Sequence, residues 1–439
     1  MLQLNPKCPD LFDSFLPDEL KKLPEELEQV NQLLTVPEIM EPFVKRFSET
    51  MGRPTIPIYT YLRLMYLKTR YKLGYETLVQ EVSDSIAWRR FCGIPYNEKV
   101  PDDSTLIKLT HKYGEETLSE LHRIIVTELV KRKVVRGRKI RVDTTVISSN
   151  IHYPTDTSLL GDGLKQIRSI VKKVQVTGLR IGRTLSKVKK FTFSASQLLR
   201  KADKKSREKV RKINRIIIDK VRKTINKVQA VVNKVHNIRV KNKLEQVLHI
   251  TKEVARQSEE RLNGIKPTDR IVSITDPEAR PIVKGKLDKP VEFGRIVQIT
   301  QDESGIITQH EVFNGNPCET GLVPGILKTH RKQFPGKLKE IAADTGFASE
   351  QNSKLLKKAK VLHIGIPARG KPPPEIRRIQ NTVWFHKLRR FRAGIEAIIS
   401  FLNRKFGFKR SMYRGTTGAK NWVSWVIITA NLYRLSFSP

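Results

Sequence analysis

The chain has 439 residues, with 83 Lys and Arg against 44 Asp and Glu, giving a formal net charge of +39. Such a charge repels itself at low salt unless a polyanion neutralises it, so nucleic acid is the leading partner. Cys8, Cys92 and Cys318 are widely separated and form no C-x-x-C pair, which argues against a disulfide framework and a structural zinc site. No apolar run approaches the roughly 18 residues of a membrane span and the first residues do not read as a signal peptide. A soluble, intracellular protein of two or three domains is expected, with no membrane partner.

Residues 1–136 read as helical. Ile58, Leu62, Met65 and Tyr66 have helical spacing, Gly74 ends that segment, and Tyr75-Glu-Thr-Leu-Val-Gln-Glu-Val82 restarts one. Asp102 or Asp103 caps a long amphipathic helix through Leu106, Leu109, Tyr113, Leu118, Leu121, Ile125 and Leu129. Short helices with a basic edge suit a helix-turn-helix-like DNA-binding unit. A packing or dimerisation domain fits equally well, because no recognition helix declares itself.

From residue 137 the pattern turns to strands. Lys139-Ile-Arg-Val-Asp-Thr-Thr-Val146 is β-prone, and further strands are predicted at 270–275, 293–300 and 306–312. Gln301-Asp-Glu-Ser-Gly305 joins the last two as a hairpin loop. Helix 322–334, strand 338–344, helix 349–359 and strand 360–366 follow, before a break at Pro372-Pro-Pro374 and a final helical region. This order predicts an α/β fold with a mixed sheet. The expected divisions are 1–136, 137–160 for the first part of the core, a basic helical insertion at 161–268, and 269–439 for the rest.

Between Pro154 and Pro267 there is no proline. Ile217, Val221, Ile225, Val228, Val232 and Val235 predict one apolar stripe of a long helix, close to a coiled-coil seam. Residues 165–243 set only Asp203, Glu208 and Asp219 among a dense run of Lys and Arg. Like charges at that density destabilise a helix without an anionic partner, so the exposed face is expected to track a DNA backbone.

Glu396 is the only acid after Glu375, in a run crowded with Arg and Lys. Asp143 and Asp344 lie in or just after short apolar segments that read as buried strands. Three carboxylates, two on strands and one on a helix, are the raw material of a two-metal phosphoryl-transfer site. Hard divalent ions take oxygen ligands, and two of them can align a nucleophile and relieve charge on a leaving oxygen. Trp384, Leu388, Phe391, Ile395, Ile398 and Leu402 form the predicted buried stripe of the last acid's helix, with Arg389, Arg392, Glu396 and Asn403 on the adjacent one. The four-residue step from Arg392 to Glu396 also fits a plain ion pair. Asp156, Asp162 and Asp276 are rival carboxylates, and Asp276 beside Pro277 fits a turn role better than ligation.

The order of the three acids, with the stretches Gly52-Arg-Pro-Thr55, Leu73-Gly-Tyr-Glu-Thr-Leu78, Ser85-Ile-Ala-Trp-Arg-Arg-Phe91, Val100-Pro-Asp-Asp-Ser-Thr-Leu106, Val142-Asp-Thr-Thr145, Asn150–Gly163, Ala343-Asp-Thr-Gly-Phe-Ala-Ser349 and Arg404–Gly415, resembles DDE transposases of insertion sequences, most closely the ISNCY-like group. The likeness covers nearly the whole chain. It implies an RNase H-like mixed-sheet catalytic core, an all-helical N-terminal domain and the long basic insertion. It further implies Asp143, Asp344 and Glu396 as catalytic metal ligands for Mg²⁺ or Mn²⁺, two ions in all. Related groups carry Y-x2-R-x3-E-x6-K as a third motif. Here Arg392 and Glu396 match R-x3-E, while Arg389 stands at the Tyr position and Asn403 at the Lys position. Arg404 or Lys405 would take the Lys role. The expected DNA contacts are Arg389, Arg392, Arg404, Lys405, Lys409, Arg410 and Arg414.

The implied activity is binding of terminal inverted repeats, then cleavage and joining to target DNA. A homodimer or larger synaptic complex on double-stranded DNA, in the cytoplasm at a bacterial or archaeal nucleoid, would carry it out. Two alternatives remain: an RNase H-like nuclease that cuts without joining, and a non-catalytic DNA-binding protein derived from a transposase.

Overall fold

The computed structural model describes residues 3–4, 15–46, 55–174, 181–201, 203–283 and 291–437; Cys8 and Gly52-Arg-Pro54 lie outside them. The helices before the first strand are α1 (Asp18–Lys21), α2 (Glu25–Leu34), α3 (Glu41–Val44), α4 (Ile58–Arg70), α5 (Tyr75–Asp84), α6 (Ile86–Cys92) and α7 (Asp103–Lys131). Ser85 caps α6 by accepting from the Trp88 amide at 3.2 Å, and Gly93 closes that helix in the left-handed region. The predicted long helix through Leu106 and Leu129 is interrupted at Gly114, with φ 67° and ψ −169°. Only glycine takes that conformation at little cost.

The strands are β1 (Lys139–Ser148), β2 (Arg280–Val283), β3 (Val291–Asp302), β4 (Ile307–Phe313), β5 (Glu340–Ala342) and β6 (His363–Gly365). The remaining helices are α8 (Asp156–Val174), α9 (Ile181–Leu199), α10 (Lys204–Gln229), α11 (Ile238–Leu262), α12 (Val323–Gln333), α13 (Glu350–Lys358), α14 (Pro374–Gln380), α15 (Val383–Phe406) and α16 (Gly415–Leu435). The α/β class expected from the strand and helix alternation is the one the chain adopts.

The chain divides into two compact units, one of Met1–Ser148, Ile296–Tyr413 and Thr417–Pro439, the other of Ser149–Arg295 and Arg414–Thr416. In the first unit β3 lies between β4 and β1, and β5 and β6 continue beyond β1. β1, β5 and β6 are mutually parallel, while β3 and β4 form the antiparallel hairpin predicted around residues 301–305. The Glu340 carboxylate on the central β5 ties both neighbours, with Lys139 Nζ at 3.2 Å and His363 Nδ1 at 2.8 Å. The N-terminal helices share one apolar core with the end of the chain, since Leu33, Phe43, Tyr61, Leu109 and Leu121 cluster with Trp425, Ile428 and Leu432. The helical region before residue 136 therefore does not stand apart as its own compact body.

The second unit contains α8 to α11 around a separate core that includes Leu160, Leu164, Ile167, Leu185, Val188, Leu248 and Val254. Ile217, Val221, Ile225 and Val228 are buried on α10 in that core. Val232 and Val235 are buried too, but they lie beyond the end of α10, in and just after a 3₁₀ turn. The predicted long helix is thus broken. Asn237 caps the next helix by accepting from the Val240 amide at 3.2 Å. The apolar stripe faces sister helices of the same unit, which removes the need for a coiled-coil partner.

Residues 270–275, predicted as a strand, form none. The Gln257 side chain on α11 takes both backbone groups of Ile271, accepting from its amide at 3.0 Å and donating to its carbonyl at 2.9 Å. Those are the bonds a neighbouring strand would have supplied. Asp276 follows, its carboxylate gripped by Arg295 at 2.6 and 2.8 Å, and the guanidinium is only 2% exposed. Burial raises the Asp276 pKa, but the Arg295 bonds and charge outweigh it and the net direction is down. Asp276→Asn removes the close counter-charge of a buried cation and leaves Glu278 at 3.8 Å, a loss of up to about 3–5 kcal/mol. A lowered melting midpoint of the full chain is expected, and an unchanged one would show that Arg295 finds another partner.

Candidate active site

The parallel pairing of β1 with β5 aligns Arg141 with Ala342. Asp143 and Asp344 each lie two residues beyond that pair, so adjacent chain segments bring them side by side. Val142 packs into the core beneath, and Asp143 itself is 8% exposed. Its Oδ1 accepts from the Thr144 amide at 2.8 Å. Asp344 caps the 3₁₀ turn Thr345–Phe347, with Oδ1 accepting from the Thr345 amide at 2.7 Å. Each aspartate thereby has one oxygen fixed by backbone and the other directed elsewhere.

The third acid rides on α15, whose buried face is Phe385, Leu388, Ile395, Ile398, Leu402 and Phe406. Trp384 and Phe391, predicted in the buried stripe, are half-buried instead. Trp384 stacks on His363 at 4.6 Å, and the Phe391 ring lies under Lys139 and Arg141, each at 4.7 Å. Arg141 Nη1 also donates to the Phe391 carbonyl at 2.7 Å, so β1 holds the helix by a side chain two residues from Asp143. Glycines permit the close seating. A Cβ at Gly365 would lie 2.6 Å from the Leu388 Cβ, and one at Gly394 would lie 2.2 Å from Arg141 Nη1.

The three acids meet on one guanidinium. Arg392 Nη2 lies 3.2 Å from Asp143 Oδ2 and 3.2 Å from Asp344 Oδ2, while Nη1 lies 3.1 Å from Glu396 Oε1. The Arg392 Nε is buried and has no hydrogen-bond partner among the described residues. Burial, foremost, pushes the Asp143 carboxyl up to about 6; Asp344 and Glu319 add to the rise and Arg392 opposes it. This is the signature of carboxylates held close in a setting short of positive charge.

Mg²⁺ and Mn²⁺ prefer such oxygens. Among the described residues no three acidic, His or Cys side chains already stand as a closed ligand shell, because the guanidinium is interposed. The oxygens of Asp143, Asp344 and Glu396 are of the kind that would suit a hard divalent cation, with Arg392 standing between them. Glu319 was not singled out from the sequence. Its Oε1 accepts from the Thr144 hydroxyl at 2.6 Å, and its only sequence signal is an acid in the turn that follows β4.

The expected DNA-contact residues fall into separate groups. Arg392 faces the acids. Arg404 and Lys405 line a cavity of about 520 Å³ with Arg70, Tyr71, Lys72 and Phe401. Arg389, Lys409 and Arg410 are exposed, and the Lys409 carbonyl accepts from the Ser148 amide at the end of β1. Arg414 belongs to the second unit, where it lines a cavity of about 400 Å³ with Asn150, His152 and Asp162. The rival acids Asp156 and Asp162 also lie there, paired with Arg261 at 2.7 Å and His152 at 2.6 Å.

Two family models match the sequence. A transposase domain (DUF772) covers residues 15–112, and a transposase DDE domain covers residues 278–432. The chain is a DDE transposase. No curated protein and no solved structure matches it. The DDE domain implies an RNase H-like core, and the mixed sheet with its parallel β1, β5 and β6 and antiparallel hairpin is of that kind. The matched segment contains Asp344 and Glu396, while Asp143 precedes α8 to α11 and lies outside it.

Arg392 pairs with all three acids and would compete with a cation for them. Arg392→Gln is therefore expected to tighten Mn²⁺ binding severalfold, read from the electron paramagnetic resonance signal of free Mn²⁺. Weaker binding would mean that the guanidinium organises the carboxylates rather than excluding an ion.

Proposed function

We propose that this transposase binds the terminal inverted repeats of its insertion sequence and catalyses divalent-metal-dependent DNA cleavage and strand transfer. Asp143, Asp344 and Glu396 are the metal-binding carboxylates in this reading. The observation that carries it is the convergence of those acids on a single guanidinium, although they come from β1, the turn after β5 and α15. Two Mg²⁺ or Mn²⁺ ions, when bound, would activate the attacking oxygen and relieve charge on the leaving one.

The chain's own residues do the positioning. Asp143 and Asp344 are fixed by the sheet and its following turn, and Glu396 by a helix locked to β1 and β6. Arg392, once displaced from the acids, is placed to contact a nearby phosphate. Arg389, Arg404, Lys405, Lys409 and Arg410 hold the DNA backbone, as do Arg414 and the cations of α8 to α11. Water first hydrolyses a phosphodiester at the element end and leaves a 3′-OH. That hydroxyl then attacks a phosphodiester of target DNA and displaces its 3′ oxygen. No protein nucleophile is required. Pairing two ends calls for a homodimer or larger synaptic complex, in the cytoplasm at the nucleoid, and the likeness of the sequence motifs supports membership of the ISNCY-like group.

The direct test is a Mg²⁺- or Mn²⁺-dependent cleavage and strand-transfer assay on element-end DNA. Glu396→Gln keeps size and removes charge; it is expected to bind DNA normally and to lose at least a hundredfold in joined product. Full activity in that variant would remove Glu396 from the metal site, and cleavage without joining by the wild type would favour a nuclease. Affinity for end DNA is also expected to fall by about three orders of magnitude or more between 50 and 200 mM salt, as many phosphate contacts require. A nearly flat dependence in a filter-binding titration would count against the electrostatic reading of the basic surfaces.

A further inference from the structure

We propose that Glu319 is a positioning residue of the metal site, setting the spacing between the segments that carry Asp143 and Asp344. The inference rests on the metal-site reading above and extends it to a residue outside the three acids.

Glu319 lies in the 3₁₀ turn Glu319–Leu322, between β4 and α12. One carboxylate oxygen accepts from the Thr144 hydroxyl at 2.6 Å, directly beside Asp143. The other lies over Gly346, two residues past Asp344, so closely that a Cβ on that glycine would collide with Oε2. A single side chain thus touches both aspartate-bearing segments. A side chain at that position would have to displace the carboxylate.

The turn that carries Glu319 is itself anchored. The Asn352 side-chain amide, buried on α13, donates to the Thr320 carbonyl at 2.9 Å and to the Phe347 carbonyl at 2.9 Å. That links the residue after Glu319 to the end of the Asp344 turn. Arg369 holds the opposite side of the same turn, donating to the Thr345 carbonyl at 3.2 Å and to the Gly346 carbonyl at 2.7 Å. Two rigid supports on the Asp344 side leave the Glu319–Thr144 bond as the tie that registers Asp143 against them. The pairing of β1 with β5 runs from Lys139 and Glu340 to Arg141 and Ala342 and ends there, so beyond it this tie takes over their alignment. Small errors in ligand spacing are costly for Mg²⁺, which demands near-ideal octahedral geometry.

The test measures Mn²⁺ binding to the full-length protein by the resonance of free Mn²⁺, together with the half-saturating Mn²⁺ concentration for cleavage of end DNA. Glu319→Ala and Thr144→Val are each expected to weaken Mn²⁺ binding about tenfold and to raise the half-saturating concentration in parallel. Glu319→Gln keeps an oxygen that accepts from Thr144 and fills the space over Gly346, so it should recover most of the loss. Wild-type behaviour of Glu319→Ala would overturn the proposal. So would Glu319→Gln as impaired as the alanine variant with Thr144→Val intact, because the charge and not the tie would then be what matters. If Glu319→Ala fails to fold, the Glu319→Gln and Thr144→Val pair decides alone. Asp143→Asn separates the two levels: unaltered Mn²⁺ binding there overturns the metal-site reading itself, whereas loss there with wild-type Glu319→Ala overturns only the role of Glu319.

Discussion

Carboxylates gathered in a partly buried place must either take up protons or have a cation beside them. Asp143, Asp344 and Glu396 come together here because Arg392 stands among them. One guanidinium serves three acids and Glu319 adds a fourth nearby; burial above all pushes the Asp143 carboxyl up to about 6, with Asp344 and Glu319 adding to the rise. A closed structural ion pair would show none of that. In the metal-site reading proposed above, the surplus of negative charge would favour entry of a divalent cation, and the surrounding scaffold opposes the repulsion.

That stiffness comes from three joints. The parallel register of β1 and β5 fixes the two aspartates relative to one another. The Arg141 bond to the Phe391 carbonyl, with glycines at 365 and 394, fixes α15 against the sheet. The 3₁₀ turn after β4, secured by Asn352, closes the side facing Thr144. None of these joints requires α8 to α11, whose apolar residues are spent on a core of their own. A long helical segment can therefore be inserted between Asp143 and the rest of the sheet without disturbing the acids.

The sequence made much of this legible, for physical reasons. Short apolar strands and amphipathic helices declare themselves by period, so the hairpin, the order of strands and helices, and the helix carrying Glu396 could be read directly. The failures have equally definite causes. Gly114 and the end of α10 interrupt helices whose apolar spacing continues unbroken, because periodicity records which face is buried and not whether the backbone is continuous. Residues 270–275 have strand-like alternation, but the Gln257 amide on α11 claimed the backbone groups of Ile271. The role of Arg392 at the centre of the acids was half-visible: its spacing to Glu396 is local, whereas its approach to Asp143 and Asp344 depends on tertiary packing. Glu319 was invisible, since its partners Thr144 and Gly346 are remote in sequence.

The contrast between Asp276 and Asp143 shows how geometry separates a structural acid from a reactive one. Both are buried, and both face an arginine. Asp276 holds Arg295 through two short bonds, 2.6 and 2.8 Å, and the guanidinium is sealed from solvent. Its pKa moves down, so the pair is content as it stands. Asp143 shares Arg392 with two other acids at 3.1 to 3.2 Å, and that guanidinium is 21% exposed. Its pKa moves up. Removing Arg295 would strand a charge in the protein interior, a severe penalty. Moving Arg392, already partly exposed, toward solvent would cost far less. The same two residue types therefore make a sealed pair in one unit and a more open, shared contact in the other, and the difference lies in burial and in how closely the guanidinium is held.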